Sequence, residues 1–188
     1  DAIKKEVAKI VNGIIDDYGL SEWNVALLFD GENSISSWHA GRLYEDVSRS
    51  KTSTNILLIV HSSGGSIEPS YLISKALKKL SKEKFIVAVP RKAKSAATLL
   101  SLGADEIHMR LMSELGPIDP QIGGYPALGL GNALDALADL SCRFPGSADM
   151  LSKYLTENLS RRVLGYFNRV SESAIQYGER LPQSQPPA

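Results

Sequence analysis

The feature that most constrains this chain is its alternation of short apolar runs with stretches of helical period. Residues 24–30 (NVALLFD), 55–60 (NILLIV) and 85–89 (FIVAV) are nearly continuous apolar runs. Each is long enough for a strand and too short for a helix. Residues 35–47 and 67–80 follow the first two and carry apolar residues at three- and four-residue spacing. A strand that stays apolar throughout belongs in a sheet with both faces covered. Strand–helix repeats predict a mostly parallel sheet. Turns are expected at 31–33 and at His61-Ser62-Ser63-Gly64-Gly65-Ser66, and the third run stops at Pro90. A further helix is expected from Ser95, with Gly103 as its stop, and a fourth short strand at 106–109.

The ends of the chain read differently. Residues 2–18 place Ile3, Val7, Ile10, Val11, Ile14, Ile15 and Tyr18 on one helical face. LGPIDPQIGG at 115–124 predicts an irregular loop, and three helices are expected near 130–140, 147–160 and 162–180. The organisation expected is an α/β core over 1–124, a helical appendage over 125–181 and a disordered Pro-rich tail over 182–188.

Lysines and arginines balance aspartates and glutamates, 21 against 21. The chain therefore lacks the basic footprint that nucleic acid or an anionic membrane would require. One cysteine, Cys142, excludes an intrachain disulfide. With three dispersed histidines (His39, His61, His108) it offers no zinc-ligand pattern, and no metal or cofactor is expected. No apolar run approaches the roughly 20 residues of a membrane span. The opening residues show no signal-peptide pattern. There is no GK[ST] loop, no GxGxxG and no GxSxG elbow, which argues against nucleotide binding and against an α/β-hydrolase.

Two places could carry chemistry. Gly64-Gly65 closes a buried strand, at the carboxyl end where ligand sites of parallel sheets gather. Glycines there free a backbone N–H to meet a developing oxyanion, or simply permit the turn. Ser95 opens a helix just past the next strand. Free N–H groups at a helix start would favour an alkoxide, but serine is also a favoured N-cap.

The two together, one strand–helix unit apart, resemble Clp-type proteases and signal peptide peptidase A. The segments are LLIVHSSGGSIEPSYLISKAL and KFIVAVPRKAKSAATLLSLGADEI. The run SAATLLSLGADEIHM, the following SELGPIDPQIGG and the later LGYFNRVSESAIQYGERL resemble the serine dehydrogenase proteinase family. The resemblance covers roughly residues 24–181. It implies a Clp/crotonase fold and a serine peptidase in which Ser95 attacks the peptide carbonyl. The N–H groups of Gly65 and Ala96 would form the oxyanion hole. Gly64, Ser66 and His61 would line the substrate. The SSGG turn lacks the proline usual in Clp-type proteases. No histidine follows Ser95 where the Clp-type histidine would stand, and Asp119 lies near that place.

A serine nucleophile needs a base. Downstream of Ser95 the only histidine and lysine are His108 and Lys153. Signal peptide peptidase A and its relatives use a Ser-Lys dyad, which puts Lys153 first. Lys153 would have to be desolvated and neutral. Asp149 and Glu157, four residues to either side, suit instead a solvated helix face. His108 and the adjacent Lys94 remain alternatives.

The expectation is a serine peptidase acting on unfolded or membrane-associated polypeptides. It would work without a cofactor or nucleic acid, as a homo-oligomer in the cytoplasm, with membrane association only through a segment outside this sequence. The competing expectations are an inactive Clp-fold scaffold and an acyl-CoA enzyme of the crotonase type. The latter lacks a nameable acidic residue and phosphate cradle here.

Overall fold

The computed structural model describes residues 2–30, 34–49, 54–119, 121–122, 125–158 and 161–183. The turn expected at 31–33 and residues 184–188 of the expected tail lie outside them. The chain divides into two compact units, Asp1–Gly116 and Pro117–Ala188.

The first unit is the α/β sheet anticipated from the strand–helix alternation. Its strands are β1 (Trp23–Phe29), β2 (Asn55–His61), β3 (Phe85–Val89) and β5 (Glu106–Met109). They run parallel in the order β1-β2-β3-β5. Connections between parallel strands need crossovers, which α2 (Ser37–Ser48), α3 (Ile67–Leu80) and α4 (Ala96–Leu102) supply. A two-residue pair, β4 (Lys92–Ala93) with β6 (Glu114–Leu115), was not anticipated. Ile35, expected to begin a helix, is instead fully buried in a bridge to Gly65, and α2 starts two residues later behind its cap, Ser36.

The core lies on one face of the sheet. Leu28, Leu58, Val60, Phe85, Val87 and Val89 of the strands pack with Leu43 and Val47 of α2, Ile73 and Leu77 of α3, and Ala97 and Leu100 of α4. Polar groups lock the layers together. Ser74 Oγ on α3 donates to the Leu100 carbonyl on α4 at 2.8 Å, with both residues buried. Asp105 pairs with Lys78 of α3, and its second oxygen accepts from the Phe85 N–H at 2.8 Å. The other face of the sheet carries Leu27, Phe29, Ile59 and His61, and Phe29 is 75% exposed. Ahead of the sheet, α1 (Ala2–Asp17) presents Ile3, Val7, Ile10 and Ile14, all exposed.

The second unit is largely helical, as expected of the C-terminal part. A short antiparallel pair, β7 (Gln121–Ile122) with β8 (Tyr125–Pro126), leads into α5 (Ala127–Arg143). A 3₁₀ turn at Pro145–Ser147 precedes α6 (Ala148–Asn158) and α7 (Arg161–Gln183). α5 touches both later helices. α7 runs through residues 182 and 183, two residues into the expected tail. Among the described residues no helix is long and apolar enough to cross a membrane.

At the edge of the sheet Glu106 accepts from Lys84 at 2.6 Å and contacts His108 Nε2 at 3.0 Å. The Lys84 hydrogen bond, helped by His108, holds the Glu106 carboxyl below its usual 4.5, and the same bond raises Lys84. A depressed carboxyl stabilises the fold above its unfolded value and loses that contribution as pH falls through the folded value. Lys84→Met should therefore move the Glu106 carbon-13 carboxyl titration upward toward 4.5; an unchanged midpoint would contradict the pairing. Leu58→Ala, in the fully buried centre of β2, should cost about 2–5 kcal/mol in urea unfolding followed by tryptophan fluorescence.

Candidate active site

β2 does not stop cleanly at His61. Ser62 forms a parallel bridge to Ala93: its N–H donates to the Lys92 carbonyl at 3.0 Å, and its carbonyl accepts from the Lys94 N–H at 3.1 Å. Sheet pairing is thereby carried past the strand ends and lays the glycine turn alongside the segment that leads into Ser95.

Gly64 and Gly65 have φ of 111° and 148°. A Cβ on Gly65 would lie 2.3 Å from the Ile35 nitrogen, and one on Gly64 would lie 2.8 Å from the Lys94 carbonyl oxygen and 3.0 Å from Ser95 Cβ. Only glycine allows both the conformations and the approach. Ile35 fastens the turn from its other side, donating to the Gly64 carbonyl at 2.9 Å and accepting from the Ser66 N–H at 2.8 Å. Ser66 then precedes α3, where its carbonyl accepts from Ser70 Oγ at 3.0 Å.

Ser95 is not an ordinary N-cap. Its φ of 51° and ψ of −118° differ from the extended geometry of a cap, and its side chain makes no capping bond. Among the described residues it is the only non-glycine at positive φ. That conformation costs on the order of 1–3 kcal/mol and persists only where surrounding structure imposes it. Here the Lys94 carbonyl accepts from the Ala97 N–H at 2.9 Å, and the Ser95 carbonyl accepts from the Leu99 N–H at 3.1 Å. One turn on, Thr98 Oγ1 lies 2.7 Å from the Ala93 carbonyl and accepts from the Gly116 N–H at 3.0 Å. Among the described residues the Ser95 hydroxyl and the N–H groups of Gly65 and Ala96 have no hydrogen-bond partner.

The candidate bases fall in different places. Lys94 pairs with Glu114, and its stem lies against Gly116. That hydrogen bond holds the Glu114 carboxyl below its usual range. His108 is committed to Glu106 and stands in register with Ala88, so it projects from the face opposite the core that contains α4. The His61 ring stacks on Phe29, with centroids 4.8 Å apart. Lys153 is exposed on α6, in the second unit, and forms no ion pair with Asp149 or Glu157. Asp119, also in the second unit, is half-buried and engaged.

One element of the site was not read from the sequence. Asp30, at the carboxyl end of β1, is only 4% exposed and accepts from Ser62 Oγ at 2.9 Å. The same Oγ accepts from the Gly64 N–H at 2.9 Å. The available signal was a lone acid closing the apolar run NVALLFD.

Ser95→Gly should relieve the positive φ and leave stability unchanged or raised by up to about 1 kcal/mol in urea unfolding. Gly65→Ala should destabilise by more than the roughly 1–2 kcal/mol of a left-handed alanine, because the Ile35 backbone must move as well. A well-tolerated alanine at 65 would refute the close approach.

Comparison with known proteins agrees with the fold. The family of ClpP-like SDH-type serine proteinases matches residues 40–139, more than half of the 188. The match contains Gly64, Gly65, Ser95 and Ala96 but not Lys153. Two uncharacterized proteins of Methanocaldococcus jannaschii are also similar. One is 42% identical over 78 residues, which is 42% of this chain and 27% of the relative. The other is 47% identical over 70 residues, which is 37% of this chain and 24% of the relative. The chain thus matches about a quarter of the length of these curated relatives. With its parallel strand–helix core, its Gly-Gly turn and Ser95 at the head of α4, the chain belongs to the ClpP-like SDH-type serine proteinase family.

Proposed function

We propose that the protein is a serine peptidase that hydrolyses peptide bonds in unfolded polypeptides, with Ser95 as its nucleophile. The observation that carries this reading is the Ser95 geometry: a strained backbone at φ 51° with a hydroxyl that caps nothing. A serine kept only as a helix cap would adopt the relaxed extended conformation, as Ser66 does ahead of α3. Backbone strain of this kind clusters at active sites, where surrounding structure holds a reacting side chain in place.

In this reading Ser95 Oγ attacks the peptide carbonyl carbon and its proton passes to a base. The carbonyl oxygen becomes an oxyanion and accepts from the N–H groups of Gly65 and Ala96. Collapse expels the amine, which takes the proton from the base and leaves an acyl group on Ser95. Water, deprotonated by the same base, attacks the acyl carbon; the bond to Ser95 Oγ breaks, Oγ takes the proton back from the base, and the acid leaves. Ser66, Gly64 and His61 border the path of the chain being cut.

Lys153 is our proposed base. It would have to be desolvated and neutral when at work. A homo-oligomer that buries the lysine would supply that environment. We place the active form in the cytoplasm. One observation favours a second reading, an inactive scaffold: within the first unit the lysines nearest in sequence, Lys92 and Lys94, donate to Ser63 and Glu114 and not to Ser95.

The test is cleavage of a diverse peptide mixture, read by mass spectrometry, for wild type, Ser95→Ala and Lys153→Ala. Both variants should lose at least roughly 1000-fold in rate, as removal of a nucleophile or its base does in other serine peptidases, with unchanged thermal unfolding. Cleavage surviving in Ser95→Ala removes Ser95 from the mechanism. Cleavage surviving only in Lys153→Ala moves the base elsewhere. A wild type that cuts nothing favours the scaffold.

A further inference from the structure

We infer that Asp30 and Ser62 are positioning residues, a buried carboxylate–hydroxyl pair that holds the Gly64–Gly65 turn against Ser95. The inference rests on the Ser95 reading and extends it to β1, a strand that contributes no group to the reacting atoms.

The chain of contacts is continuous. Asp30 closes β1, and its own N–H donates to the His61 carbonyl at 2.8 Å, which fixes the end of β1 to the end of β2. Its Oδ2 accepts from Ser62 Oγ at 2.9 Å. Ser62 Oγ in turn accepts from the Gly64 N–H at 2.9 Å. Ser62 is fully buried and Asp30 nearly so. A carboxylate in such a place is costly unless it is hydrogen-bonded, and a hydrophobic residue could close an apolar strand without that cost.

The roles in this chain are directional. A hydroxyl has one proton to give. With Asp30 accepting it, the lone pairs of Ser62 Oγ are left to receive the Gly64 N–H. Without the carboxylate, the hydroxyl could turn its proton to the Gly64 carbonyl, 3.3 Å away, which already accepts from Ile35. Asp30 therefore fixes where the hydroxyl proton points as well as where its oxygen sits. Gly64 has no room for a side chain against the Lys94 carbonyl and Ser95 Cβ, and the N–H of Gly65 follows it. A donor displaced by a fraction of an ångström loses much of its value to a transition state.

The experiment compares wild type with Asp30→Ala, Ser62→Ala and the conservative Asp30→Asn, whose amide oxygen can still accept. Two readouts are taken on the full chain: steady-state cleavage of one peptide found to be a substrate, and amide hydrogen exchange of Gly64 by NMR. Asp30→Ala and Ser62→Ala should speed Gly64 exchange about tenfold or more. They should lower kcat roughly 10- to 100-fold with KM within about twofold, and Asp30→Asn should restore most of both. Unchanged Gly64 exchange and kcat in folded Asp30→Ala overturns the inference, as does a change confined to KM. If wild type cuts nothing, or cuts without Ser95, the peptidase reading falls. Gly64 exchange then decides by itself whether the pair holds the turn.

Discussion

Everything else at the site depends on one close approach, where backbones pass at Gly64–Gly65 with no room for a side chain. On one side is Ile35, on the other the Lys94–Ser95 segment. Backbone packed this tightly must have its polar groups satisfied locally. The Gly64 carbonyl, the Ser66 N–H and both polar groups of Ile35 are paired across the contact. Among the described residues the N–H groups of Gly65 and Ala96 are left over, with no acceptor directed to them.

The same contact explains how a strained serine is tolerated. Positive φ at Ser95 is unfavourable in isolation, but the residue is held at both ends. Ala93 is bridged to Ser62 and anchored through Thr98, while Ala96, Ala97, Leu99 and Leu100 are buried in the core or against it. Relaxing Ser95 would mean unseating α4 from the sheet. Charged groups around this segment are arranged at its margins. Lys94 turns to Glu114, and Lys92 donates to Ser63 Oγ at 2.8 Å. Neither ammonium approaches the Ser95 hydroxyl within hydrogen-bonding reach.

Much of this was legible in the residues. Three apolar runs with helical stretches between them left a parallel sheet as the economical arrangement, and β1, β2, β3 and β5 follow within a residue or so of the expected limits. Two adjacent glycines after a buried strand marked the turn, and Ser95 ahead of Ala96 and Ala97 marked the start of α4. Ile35 was misplaced because its side chain fits a helical pattern, while its backbone is claimed by Gly65, 30 positions away. Asp30 and Ser62 read as ordinary strand-end polar residues. Their importance lies in a pairing across 32 positions, which no local pattern encodes.

The sequence by itself determined the sheet, the glycine turn and the chemical type of the candidate nucleophile, because apolar period, absent Cβ atoms and a hydroxyl are local properties. It could not determine the conformation of Ser95: a serine before a helix has the same local signature whether it caps the helix or stands strained with its hydroxyl free. That choice was made by tertiary structure. Long-range backbone pairing of Ser62 with the Lys92–Lys94 segment and of Ile35 with Gly64–Ser66 fixes both loops, and Ser95 takes the conformation that remains.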